Sequence, residues 1–407
     1  MKILFLDTSP IRRGAQVFIT ELADYLSGYG YETFRVYLYK VGKPASKLPI
    51  RSQDLELNFD SKNLLEKIPT IQPFLLMRLI KEIKGISPDV VLLNGSRTLK
   101  YGAAAKQFLP KKIRWVSRII DNAEFWNSGK FTHWYYKNLI IPQVDATIGV
   151  SKASLNSMIS HYDFKKPSQV IHRAFDPEKF KNAPNKEAAR RDLGLEEEDE
   201  VLLFLGNLTA QKRPDRFIEV VQKLSQTRPN LKALIVGDGP LRAELERHAA
   251  TIKSQEVTDE TSATRLSDAG HPTPDICHQT SDIGHPTSNI LFAGYQQDVS
   301  PYLAAADLLI LNSDTEGLPG VVLEAGFFGV PTVATEVGGI RECLIDGESG
   351  ILIPDRSIEG FVSAIDKLLS NPAELQAMGG KSRELVLKNF RMEEVAEKYM
   401  SFFRALK

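Results

Sequence analysis

Asp307-Leu-Leu-Ile-Leu-Asn-Ser-Asp-Thr-Glu-Gly-Leu-Pro-Gly-Val-Val-Leu-Glu-Ala-Gly326 decides the fold. Leu308 to Leu311 is a short apolar run of the kind that forms a strand buried on both faces. Asn312 to Gly320 is built from turn residues, and Val321 to Phe328 reads as a helix. A glycine-containing turn between a strand's C-terminal edge and a helix N-terminus presents unpaired amides and the positive end of the helix dipole, which favours phosphate. Glu316 and Glu324 flank seven intervening residues around that turn, one on the loop and one about a turn into the helix. Two carboxylates beside an anion site suit a ligand with hydroxyls on both sides of a diphosphate, one set on a sugar and one on a ribose.

The same alternation of strand and helix runs outward in both directions. Upstream, strand-like runs occur at Val201 to Leu205, Ala233 to Val236 and Ile290 to Ala293, and downstream at Thr332 to Ala334. A first series comprises Lys2 to Asp7, Glu32 to Tyr39, Val90 to Leu93, Ile113 to Ile119 and Ala146 to Val150. These series predict two α/β domains with open, doubly wound parallel sheets. The boundary falls near Phe180 to Glu200, where a helix-like Lys186 to Leu193 precedes the acidic turn 196–200. A chain of 407 residues has room for two such cores. Residues 250–289 break the rhythm with a near-duplicate, Ser267-Asp-Ala-Gly-His-Pro-Thr against Ser281-Asp-Ile-Gly-His-Pro-Thr, offset by 14 residues. Such a polar repeat predicts a disordered surface insertion. The repeat also explains His271 and His285, so that with His278 and Cys277 they do not amount to a metal site.

Cys277 and Cys343 alone give no disulfide framework, and no apolar run is long enough to span a membrane. The chain is neutral overall, yet residues 1–180 carry 18 Lys and 9 Arg against 9 Asp and 7 Glu, a net +11. That basic half predicts an anionic partner such as a membrane surface, a lipid phosphate or an acidic glycan. Nucleic acid is not among the expected partners. The aromatic run Phe125, Trp126, Phe131, Trp134, Tyr135 and Tyr136, with Lys130 and Lys137, reads either as core with one exposed face or as an acceptor groove or membrane-touching patch. Leu64 to Ile86, bearing Lys67, Arg78, Lys81 and Lys84, has the pattern of a basic amphipathic surface helix.

Glu316-Gly-Leu-Pro-Gly-Val-Val-Leu-Glu-Ala-Gly326, followed by Gly329-Val-Pro-Thr-Val-Ala334 and Gly338-Gly-Ile-Arg-Glu342, resembles the Glu-x7-Glu signature of the retaining family 4 glycosyltransferases, the "group 1" superfamily. The likeness extends through Gly206-Asn-Leu-Thr-Ala-Gln-Lys-Arg-Pro-Asp215 and Val236-Gly-Asp-Gly-Pro240. In the first half it is carried by Gly14-Ala15, Val150-Ser151 and the segment from Val170 to Phe180. The resemblance implies a GT-B fold, two Rossmann-like domains facing a cleft. Residues 1–180 would hold the acceptor, joined by a helix over 391–407 that crosses back, and residues 181–390 would hold the donor. Glu324 would bind ribose hydroxyls and Glu316 would face the donor sugar. The backbone of Gly317, Leu318, Pro319 and Gly320 would form the cradle of the diphosphate and sugar, Lys212 with Arg213 would neutralise the leaving group, and Gly237 would lie near the base. Asn207 and Gly14 complete the donor set. No metal and no cofactor are implied beyond a UDP- or GDP-linked sugar.

Some positions depart from the family pattern. Asn207 stands where an arginine is usual, Arg13 where a second glycine is common, and Arg173-Ala174 replaces a frequent Asn-Gly; Asn94 and Arg118 stand near strand ends that often carry histidine. The reading is a cytoplasmic retaining transferase, peripheral at the inner face of the membrane, acting on a glycan or lipid-linked acceptor in cell-envelope or exopolysaccharide synthesis. Two alternatives fit the same residues: a catalytically impaired sugar-nucleotide-binding protein, motivated by Asn207 and Arg13, and a sugar-nucleotide epimerase on the same fold. Glu342 is expected to cap or pair rather than touch substrate.

Overall fold

The computed structural model describes residues 1–40, 47–59, 71–126, 129–250 and 289–406. The insertion 250–289, its histidines and Cys277, and Lys67 fall in large part or wholly outside them.

The first sheet comprises β1 (Lys2–Asp7), β2 (Glu32–Tyr39), β3 (Leu55–Phe59), β4 (Val90–Asn94), β5 (Arg114–Ile119), β6 (Ala146–Gly149) and β7 (Ser168–Val170). Its order is β3-β2-β1-β4-β5-β6-β7, and every pairing is parallel. The second comprises β8 (Glu200–Leu205), β9 (Leu231–Val236), β10 (Ile290–Gly294), β11 (Leu308–Leu311), β12 (Thr332–Thr335) and β13 (Gly350–Ile353). It runs β10-β9-β8-β11-β12-β13, again all parallel. Central strands such as Val90-Val-Leu-Leu-Asn94 and Leu308-Leu-Ile-Leu311 are buried along their whole length, because helices cover both faces. This is the GT-B architecture of two doubly wound domains.

Each sheet reverses its direction of winding once, between β1 and β4 in the first and between β8 and β11 in the second. The loops beyond the carboxyl ends of those strand pairs part to either side of the reversal, which leaves a crevice in which ligands bind in open α/β sheets. Asn312 to Pro319, between β11 and the helix Gly320–Phe327, lies at the second reversal. Gly14, the first residue of the helix Gly14–Gly28, follows β1 at the first.

The last helix, Met392–Ala405, belongs to the first domain's core. It buries Met392, Val395, Ala396, Tyr399, Met400, Phe402 and Phe403 against Phe18, Ile19 and Leu22 of helix Gly14–Gly28 and against Ile3 and Phe5 of β1. Where the chain crosses between domains, the Phe175 amide donates to the Phe390 carbonyl at 2.7 Å. The basic amphipathic segment is a helix over Pro73–Ile86 that starts on a proline, buries Leu75, Leu79 and Ile83, and leaves Phe74 and Met77 exposed. Among the described residues no helix is long and apolar enough to cross a membrane.

Phe403 is fully buried in that shared core. Phe403→Ala is expected to cost about 3–5 kcal/mol, the usual penalty for emptying a buried phenylalanine site. Hydrogen exchange should show the loss first in β1 and helix Gly14–Gly28, ahead of β8. Equal loss of protection in both sheets would contradict this packing.

Candidate active site

Two loops meet at the second reversal. The one after β8, from Gly206 to Arg213, is strapped to the one after β11: the Asp314 amide donates to the Gln211 carbonyl at 2.9 Å, and Gln211 Nε2 donates to the Thr315 carbonyl at 3.1 Å. The strap brings together side chains 104 positions apart, with Lys212 Nζ donating to Glu316 Oε1 at 2.5 Å. Glu316 is buried, whereas Lys212 keeps about a quarter of its side chain exposed, 26%. The pair sets a cation beside the loop that carries the amides of Gly317, Leu318 and Gly320.

Arg213 lies in the left-handed region at φ +50° and caps the helix Pro214–Ser225. Its charge is already engaged. Nε and Nη2 fork onto Asp215 at 3.0 and 2.7 Å, and Asp314 lies 3.6 Å from Nη1. The Asp215 hydrogen bonds raise the arginine's pKa, and the same contact outweighs burial to hold the Asp215 carboxyl below its usual range. Asn207 is exposed on the β8 loop. Gly237, at φ +140°, closes β9 so near the Gly206 carbonyl that a Cβ there would collide with it.

Glu324 sits about one turn into helix Gly320–Phe327 and is half-buried. It lines a narrow crevice with Gly320, Leu323, Glu21, Arg173 and Lys179. Lys179 is ion-paired with Glu21. Gly14 borders the same space, and a Cβ built on it would lie 3.0 Å from Arg173 Nη1. The structure thus brings Glu324, Gly320 and Gly14 around one crevice, and Lys212 and Glu316 together on the loop that leads into helix Gly320–Phe327.

Asn94, Arg118, Gly317 and Glu342 stand out in the sequence, but three sets of contacts that they make do not. At the first domain's reversal, Asn94 Nδ2 donates to Asp7 Oδ2 at 2.6 Å, Arg118 Nη1 donates to Asn94 Oδ1 at 2.9 Å, and Arg118 Nε donates to the Tyr399 hydroxyl at 3.1 Å. Burial raises the Asp7 carboxyl above its ordinary value against hydrogen bonds from Gln16, Asn94 and the Thr8 amide. Second, Gly317 abuts the other domain: a Cβ on it would strike the Ile120 carbonyl oxygen just beyond β5. Third, Glu342 accepts from the Lys152 amide at 2.7 and 2.9 Å and contacts His172 Nε2 at 2.9 Å. It is a cap, but on helix Lys152–Tyr162 of the first domain.

Of the aromatic run, Tyr136 is buried while Phe131 and Trp134 are 77% and 52% exposed, so the run divides between core and surface. Phe131 and Trp134 stack at 6.1 Å between ring centres.

Comparison with known sequences agrees with this geometry. Residues 12–179 match the model described as Glycosyltransferase Family 4, and residues 185–262 and 256–371 match two models described as Glycosyl transferases group 1. The chain belongs to the group 1 glycosyl transferases. Similar members of the group include N-acetyl-alpha-D-glucosaminyl L-malate synthase of Bacillus anthracis, 26% identical over 65% of this chain and 60% of that protein. Another is the lipopolysaccharide core biosynthesis mannosyltransferase LpsB of Rhizobium meliloti, 24% identical over 69% of this chain and 72% of that protein. The chain spans about half the length of most of the curated relatives it matches. Among solved folds, Anabaena Alr3699/HepE, in complex with UDP and glucose, superposes over 100% of both chains with a TM-score of 0.76 at 19% identity.

The Glu342 cap gives a test of how this member of the group closes its cleft. Burial pushes the Glu342 carboxyl up, but hydrogen bonds from His172 and the Lys152 amide prevail and hold it below the usual range. A lowered folded pKa contributes stability that is complete above the unfolded value, about 4.3, and is lost as pH falls through the lower folded value. Glu342→Gln is expected to cost about 0.5–2 kcal/mol at pH 7, as helix caps do. In thermal melts the gap between parent and variant should narrow steadily below about pH 4. A constant gap from pH 7 to pH 3 would remove the charge from this account.

Proposed function

We propose that the chain is a retaining glycosyltransferase that moves a sugar from a UDP- or GDP-sugar to a glycan or lipid-linked acceptor in polysaccharide or lipopolysaccharide synthesis. The observation that carries this reading is the Lys212–Glu316 pair, set beside a helix start at one sheet's reversal and facing the reversal of the other sheet. The relative named for mannosyl transfer in lipopolysaccharide core biosynthesis and the neighbour holding UDP and glucose support it.

In this reading the ribose hydroxyls donate to Glu324, and the diphosphate lies over the amides at the start of helix Gly320–Phe327. The acceptor hydroxyl oxygen bonds to the anomeric carbon as the bond from that carbon to the β-phosphate oxygen breaks. Both electrons of the broken bond leave with the phosphate oxygen, and the hydroxyl proton passes to the departing diphosphate. Lys212 answers the charge that grows on that group, an interaction stronger in the transition state than in the bound donor. Glu316 holds Lys212 in place and faces the sugar. In this reading the lysine and the helix end take the part that a metal would otherwise play.

Glu324→Ala is expected to abolish donor binding, and Glu316→Ala to act mainly on turnover, since its contact matters most as charge develops. Calorimetric titration with UDP-, GDP- and ADP-sugars, paired with product release, separates the two effects. Undiminished donor affinity in Glu324→Ala would falsify the ribose assignment, and binding without cleavage of any sugar nucleotide would favour a protein that has lost transfer.

The acceptor side is read as anionic. Exposed Phe74 and Met77 lie on the helix that carries Lys81 and Lys84, and exposed Phe131, Trp134 and Leu139 lie among Lys130 and Lys137. Each lysine near an anionic surface contributes on the order of 1 kcal/mol at low salt. Co-sedimentation with anionic vesicles should exceed that with neutral ones, fall at high salt, and drop when these four lysines become glutamine. Equal binding to both lipids would direct the search to neutral glycans.

A further inference from the structure

A nucleoside diphosphate brings at least two negative charges to a cleft whose expected cations are largely engaged. Lys212 is bonded to Glu316, Arg213 is forked onto Asp215, and Asn207 carries no charge. Arg173 is placed the opposite way. It follows β7, and its guanidinium lies directly on the start of two helices, one from each domain. A Cβ on Gly14 would lie 3.0 Å from Nη1, and a Cβ on Gly320 would collide with Nη1 and Cζ. Its Nε is sealed from water and has no hydrogen-bond partner. Among the described residues no carboxylate forms an ion pair with it within 4.0 Å. Burial pulls it below the ordinary arginine range, and Glu324 is the chief charge opposing that fall.

A desolvated cation pressed against two positive helix ends, with no counter-charge in contact, raises the energy of the empty protein. An anion in that space reverses the sign of every one of these terms. It accepts from the guanidinium fork and from the helix amides together, the arrangement that makes arginine a strong phosphate ligand. We propose that Arg173 is the cation that receives the donor's diphosphate, partnering Lys212 as the leaving group departs. The proposal rests on the sugar-nucleotide reading above and adds a residue to it. It also accounts for glycine at 320, where a side chain would displace the guanidinium, and fits glycine at 14, where a Cβ would press on it.

The test uses the full chain with Arg173→Gln and Arg173→Lys, titrated with UDP, GDP, uridine and guanosine. In Arg173→Gln the affinity for whichever diphosphate the parent binds should fall about 10- to 100-fold, the range for a charged hydrogen bond to phosphate. Affinity for the matching nucleoside should not change. Arg173→Lys should recover part of the loss, because it restores the charge but not the fork. The melting temperature of empty Arg173→Gln should equal or exceed the parent's, while the rise on adding diphosphate shrinks. Unchanged diphosphate affinity in Arg173→Gln overturns the proposal and leaves the transferase reading intact. So does an equal loss for nucleoside and diphosphate with a lower melting temperature, which marks a structural role. A parent that binds neither UDP nor GDP overturns the transferase reading itself, and this proposal with it.

Discussion

Two helix N-termini, at Gly14 and Gly320, face the same small volume, and the rest of the cleft is arranged around that convergence. It follows from topology, because each sheet reverses its winding where β1 meets β4 and where β8 meets β11. Bringing the two reversals face to face opposes positive helix ends. The glycines at these positions let backbone and guanidinium approach closely. Glu316 and Glu324 supply the only acidic side chains of the stretch from Thr315 to Phe328. A site of this kind is electrostatically incomplete until an anion occupies it, which is the condition for strong discrimination between a charged ligand and its neutral fragment.

Much of the fold was legible because its signals are local. Fully buried central strands such as β4 and β11 announce themselves as apolar runs, and the strand–loop–helix from Asp307 to Gly326 carries its own turn chemistry. What escaped was mostly at sheet edges. β3, β7 and β13 each pair on one side only. β7, Ser168-Gln-Val170, is three residues long and largely exposed, so its pairing with β6 rather than its composition makes it a strand. The site divides in the same way. Glu316, Glu324 and Lys212 could be found from their spacing to glycines. The role of Arg173 depends on how two domains pack, and in sequence it shows only as a substitution for a common Asn-Gly. The Glu342 cap was foreseeable in kind, though the helix it caps lies in the other domain.

That cap and Gly317 give the cleft a defined closed geometry. Gly317 packs on the Ile120 carbonyl, and the Val150 and Phe175 side chains join a hydrophobic cluster otherwise drawn largely from the second domain. Separating the domains would leave the helix Lys152–Tyr162 without the carboxylate on its first amides, so opening carries a local electrostatic cost besides the exposure of apolar surface.

The final helix has a bearing on how the protein is made. Tyr399 bonds to Arg118 at the heart of the first sheet, and Phe403 lies beneath helix Gly14–Gly28. Ribosomes deliver the first sheet long before they deliver these residues. The cluster that holds Phe18, Ile19 and Leu22 therefore lacks the contribution of the last helix while the whole second domain is synthesised. Domains usually fold in the order in which they emerge. Here the first to emerge is the last to be completed, since its core takes in the final helix.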